Sequence, residues 1–248
     1  MDELRGFAVL CMVFYHAFYT FGAEFSIDAG GKLFLFFSPF EPFFAAFFIL
    51  LSGVCCHLSH SNLMRGLKLA VISVLLSAMT VFLLPILGIK DCEIYFGILH
   101  LLALGMLIYG IFGKLIDKIN PYFLFLFSAA VFFVTYGVSE GYLGIPPLRI
   151  ATLPSYLYKT DSLAVLGFYS ENFYSADYFP ILPWLFAFFC GISLGAIWKR
   201  QGFPKFFEKK RIPPLAFLGR HALIVYIIHQ PLIYAVAYLI NLIFTKGF

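Results

Sequence analysis

The chain has 248 residues, of which 62% are hydrophobic, 20% aromatic and only 12% charged, with 33 phenylalanines and a formal net charge of +4. Soluble domains carry about a quarter of their residues charged. The composition therefore excludes a soluble globular protein and predicts an all-α, polytopic membrane helix bundle.

Seven segments are long enough to span the ~30 Å hydrocarbon core. They lie at 3–22, 40–59, 66–87, 94–115, 121–138, 178–198 and 215–244. The first is expected to be a retained span. Asp2 and Glu3 oppose the positive start of a signal peptide, and the apolar run exceeds signal length. Within it, "RGFAVLCMVFYH" places Arg5 and His16 eleven residues apart. On an α-helix that is about three turns, so both project from one face, separated by roughly 16 Å. Ionisable side chains are costly inside a bilayer and usually turn toward protein or water.

The second segment ends near His57 and His60, which read as ordinary interfacial residues. In the fourth, "EIYFGILHLLALG", a helix from residue 94 would put Glu93, Gly97 and His100 on one face at i, i+4 and i+7. The connection 139–177 is too polar to span and is expected to form an external cap or a partly re-entrant loop. Its Tyr and Phe residues fit an interfacial belt better than a sugar platform. The last segment, "FLGRHALIVYIIHQP", carries Arg220 and His221 near its start and Tyr226 and His229 one turn apart. Pro231 then frees the carbonyl of Ile227.

Lys and Arg concentrate in the connections that face inward when the N-terminus is cytoplasmic, including Arg65, Lys68, Lys114, Lys118 and the run 199–211. The positive-inside rule then predicts N-in, C-out. Cys11, Cys55, Cys56 and Cys190 fall inside spans without a Cys-x-x-Cys pair, so they read as packing residues, and no metal site is expected.

The blocks "DELRGFAVLCMVFYH", "FILLSG", "YFGILHLLALG", "DYFPILPW" and "LGRHALIVYIIHQP" occur in this order over about residues 2–235. In that order the chain resembles bacterial proteins related to the catalytic domain of heparan-α-glucosaminide N-acetyltransferase. The Arg-x10-His arrangement also looks like the signature of the wider transmembrane acyltransferase superfamily. The resemblance implies a single transmembrane acyltransferase domain over 1–248 in a bacterial plasma membrane. Such an enzyme takes an acetyl or other acyl group from a cytoplasmic acyl-CoA, typically acetyl-CoA, to a sugar or glycan acceptor on the far side. His16 is then the expected catalytic group, as general base or as a transiently acylated nucleophile, with His100 in reserve. Arg5, Arg220 and His229 are the expected donor-binding residues.

The expected partners are the acyl-CoA, the glycan acceptor and the lipid bilayer, without nucleic acid; the oligomeric state stays open. Two other readings use the same residues. A proton- or solute-coupled transporter would use the buried histidines as a relay, and a non-catalytic glycan-binding subunit would use the aromatic outer loop.

Overall fold

A computed structural model of the chain describes residues 1–89, 91–204 and 211–245. Among them, seven helical stretches are long and apolar enough to cross a membrane: Asp2–Glu24, Asp28–Leu58, Asn62–Ile86, Ile98–Ile116, Pro121–Glu140, Ile181–Gln201 and Ala222–Ile243. The chain is an all-α polytopic membrane bundle with one small hairpin. It divides into two compact units, Met1–Leu51 with Phe203–Phe248 and, separately, Ser52–Gly202.

The first unit is built on α1 (Asp2–Tyr19), α2 (Asp28–Phe37), the start of α3 (Glu41–Cys55), α9 (Pro213–Arg220) and α10 (Ala222–Thr245). Asp2 and Glu3 suit the first turn of α1, where the helix dipole favours negative charge. Glu3 also reaches α9, accepting the Arg211 and Ile212 amides at 2.5 and 2.8 Å. Those amides lie just before the Pro213–Pro214 start of α9 and would otherwise go unpaired. Helices α1 and α9 meet backbone to backbone. A Cβ on Gly6 would strike the Leu215 carbonyl, and one on Gly219 would strike that of Asp2.

The second unit holds the end of α3, then α4 (Asn62–Ala78), a short α5 (Leu84–Ile86), α6 (Ile98–Ile116), α7 (Pro121–Thr135) and α8 (Ile181–Gln201). Its core centres on Phe188, Leu101, Ile192 and Val54, all fully buried. Gly53 lies against the Phe188 carbonyl, so the "SG" of "FILLSG" marks a close helix crossing. Ser61 caps α4 through the Met64 amide at 3.3 Å, and Asn120 caps α7 through that of Tyr122 at 2.9 Å.

The connection 139–177 folds as an antiparallel hairpin, β1 (Tyr142–Ile145) and β2 (Leu148–Thr152), followed by 3₁₀ turns. Tyr169, Phe173 and Tyr178 pack in tilted and edge-to-face contacts with ring centroids 5.0–5.2 Å apart. Burial pushes the Tyr178 hydroxyl above its ordinary range. It therefore remains a donor, to the Ala164 carbonyl at 2.7 Å.

Three boundaries differ from the sequence expectation. The second span begins at Asp28, not near residue 40. Gly30 allows a close approach within this early part: a Cβ on Gly30 or on Gly22 would strike the backbone of the other turn.

The fourth span begins at Ile98, which leaves Glu93 and Gly97 off any helical face shared with His100. The preceding backbone pairs instead with 175–179, through Ala176 N–H to Glu93 O at 2.8 Å and Phe179 N–H to Phe96 O at 3.0 Å. The last segment breaks at His221. There Arg5 Nη1 donates to the Gly219 carbonyl at 3.3 Å, giving that carbonyl a partner from outside its own helix. Of the basic run 199–211, residues 205–210 lie outside the described residues.

Candidate functional site

Arg5 and His16 share α1, an unbroken helix, so the three-turn spacing read from sequence holds along one element. Arg5 sits at the end where α1 meets α9. Its guanidinium donates to Asp2 Oδ1 at 3.2 Å as well as to Gly219, and its side chain remains a quarter exposed. Arg220 closes α9 and is exposed.

Three turns further along, the His16 ring lies 5.0 Å from that of His229 on α10, at an interplanar angle of 55°. His229 is 8% exposed. Its Nδ1 lies 2.6 Å from the Tyr226 carbonyl. A carbonyl only accepts, so Nδ1 carries the hydrogen and Nε2 presents a lone pair. Among the described residues that Nε2 is buried without a hydrogen-bond partner, and so is Oε1 of Gln230 beside it. Gln230 Nε2 donates to the fully buried Thr20 Oγ1 at 3.2 Å. The His16 side chain makes no hydrogen bond among the described residues. The locus thus combines an uncommitted imidazole with two buried acceptor atoms that lack donors.

Neither His229 beside His16 nor the Thr20–Gln230 brace follows from local sequence. The available signal was "HQP", a proline inside a span. Pro231 lies within α10 and lacks the amide that would take the Ile227 carbonyl.

His100 belongs to the second unit, where both ring nitrogens are committed. The Gly97 amide donates to Nδ1 at 3.3 Å, and Nε2 lies 3.2 Å from Ser77 Oγ. The Ser77 hydroxyl donates to the Ile94 carbonyl at 2.6 Å, so Nε2 is the donor in its bond with that oxygen. Asp177 Oδ2 accepts the Ile98 amide at 3.0 Å. His100 and Asp177 together satisfy the first amides of α6. A Cβ on Gly97 would collide with the Asp177 carboxylate.

His57 is not a simple interfacial residue. Its Nε2 lies 2.9 Å from the Ile192 carbonyl on α8, and its Nδ1 lies 3.2 Å from Tyr109 Oη, which donates to Asp117 at 2.9 Å. His60 is exposed. The eight-residue spacing of Tyr109 on α6 and Asp117 at its C-cap was the readable half of this cluster.

A family model described as "Heparan-alpha-glucosaminide N-acetyltransferase, catalytic" matches residues 1–231. No curated protein and no solved structure matches the chain.

Proposed function

The chain belongs to the heparan-alpha-glucosaminide N-acetyltransferase catalytic family, and on that premise we propose that it moves an acetyl or other acyl group from a coenzyme A thioester to a sugar-type acceptor. The donor enters from the cytoplasm, and the acceptor is met on the far side of a bacterial plasma membrane. The observation that carries this reading is the His16–His229 pair with its two donor-seeking acceptors, His229 Nε2 and Gln230 Oε1. Leaving a buried acceptor unsatisfied costs about 1–3 kcal/mol. The missing partner is an O–H or N–H, which the hydroxyls or amine of a sugar supply.

His16 accepts the proton as the acceptor oxygen or nitrogen attacks the thioester carbonyl. The carbon–sulfur bond breaks, the proton passes to the departing thiolate, and no further reactant is consumed. His229, its Nδ1–H held by Tyr226, sits beside His16, so the donor contact expected of it falls at the thioester end. Arg5 and Arg220 supply cations for those phosphates at the α1–α9 end. Arg5 and His16 stand roughly 16 Å apart along the helix. A pantetheine arm spans a distance of that order, from anchored phosphates to a thioester beside the imidazole.

The test is coenzyme A release by the purified protein given labelled acetyl-CoA and an oligosaccharide ending in an amino sugar. Release with label in the oligosaccharide is expected. Failure to release coenzyme A with amine or hydroxyl sugars would sink the enzymatic reading and favour the transporter. Label trapped on the protein in the wild type and absent in His16→Ala would replace direct transfer by an acyl-histidine route.

A further inference from the structure

The second unit contains a cavity of about 260 Å³ that acyl transfer as proposed above does not use. Its polar lining is His57, Asp117, Lys199 and Arg200, and Ile119 and Leu124 form part of its apolar wall. The inner polar groups are fixed. Tyr109 holds Asp117, the Ile192 carbonyl holds His57, and Gly195 leaves room for the imidazole, since a Cβ there would come within 2.6 Å of His57 Cδ2. The cations at the mouth are uncommitted: among the described residues neither Lys199 nor Arg200 has an ion-pair partner.

Depth identifies the occupant. Helix α8 has 21 residues and ends with Lys199, Arg200 and Gln201. At about 1.5 Å per residue it covers the ~30 Å hydrocarbon core and delivers these two cations to the level of lipid phosphates. The adjoining face of α7 is exposed along Phe123, Leu126 and Phe127, as suits contact with acyl chains. Gln201 donates to Tyr122 at 2.8 Å and ties the two helices together beside the cavity. A cationic mouth and an apolar wall between spans suit a phosphate that carries a hydrocarbon tail.

We propose that this cavity binds the headgroup of an anionic glycerophospholipid. Lys199 and Arg200 neutralise its phosphate, and the Ile119–Leu124 wall meets the first methylenes of an acyl chain. The site is independent of the acyl-transfer reading.

The experiment reconstitutes the full chain in phosphatidylcholine vesicles and compares retention of spin-labelled phosphatidylglycerol with that of spin-labelled phosphatidylcholine. Preferential retention of phosphatidylglycerol is expected, falling about fivefold for each cation removed in Lys199→Gln and Arg200→Gln. The charge-keeping variants Lys199→Arg and Arg200→Lys should retain it. Equal retention of both lipids by the wild type, or an unchanged preference in the double glutamine variant, would overturn the proposal. Displacement of the bound lipid by inorganic phosphate or by acetyl-CoA at moderate concentration would also overturn it, by making this a soluble-phosphate site. The lipid reading requires neither competitor to act.

Discussion

At the scale of single residues, the two histidines proposed from sequence have opposite surroundings, and this makes their variants separable. The His16 side chain makes no hydrogen bond among the described residues, so His16→Ala removes packing but breaks no polar network. It should stay folded and bind acetyl-CoA, while turnover falls roughly 10²–10⁴-fold, the ordinary cost of losing a general acid–base group. His100 accepts the Gly97 amide at the start of α6 with Nδ1 and donates to Ser77 of α4 with Nε2. His100→Ala should lower stability by about 0.5–2 kcal/mol, as loss of a helix cap does, and leave turnover per folded molecule near normal. Thermal melts and acyl transfer measured on both variants check the pair, and the opposite pattern would move the base to α6. Arg5 and His16 were legible because a single helix sets their spacing. The meeting of His16 with His229, 213 positions later, depends on how α1 and α10 cross, and no local pattern encodes that.

At the scale of elements, the glycines of the family-like blocks explain themselves as crossings. Gly6 and Gly219 let α1 and α9 touch backbone to backbone, which holds Arg5 against the end of α9. Gly6→Ala should therefore push the helices apart and destabilise the protein by about 1–3 kcal/mol, the usual penalty for overpacking. It should also weaken acetyl-CoA binding if Arg5 anchors the donor. Gly31→Ala is the internal control. Its Cβ would meet only the Gly22 Cα, at 3.9 Å, so stability should hold or rise by up to about 1 kcal/mol through helix propensity. Chemical denaturation of both variants gives the comparison, and equal losses would refute the crossing argument. The same physics accounts for the misjudged boundaries. The early start of the second span rests on the approach of Gly30 to Gly22, which depends on the facing turn and not on any local pattern. The start of the fourth span was placed too early because its backbone groups pair with residues some eighty positions away.

At the scale of the whole molecule, the existence and number of spans were readable because apolar length alone decides whether a helix can cross the hydrocarbon core. Orientation rests on a different quantity. Twelve of the 17 Lys and Arg residues fall on the side that carries the N-terminus if the seven spans alternate. Inserted chains retain positive charge on the cytoplasmic side, so that side should be the inner one. His60 and Lys118 should then be cytoplasmic and Lys159, in the hairpin-bearing connection, external. All three residues are exposed, and none makes a side-chain hydrogen bond or ion pair among the described residues. Each can therefore be replaced by cysteine without disturbing a cap or a bond. Cys92 also lies in a connection, half-buried, and burial raises its thiol pKa and slows its reaction, but it is best replaced by serine to remove background. In that background, a membrane-impermeant maleimide should label Lys159→Cys on intact cells. It should reach His60→Cys and Lys118→Cys only after permeabilisation. The reverse pattern would place Arg5 on the outer face, away from cytoplasmic acyl-CoA. Donor entry at the α1–α9 end would then be abandoned even if His16 proved essential.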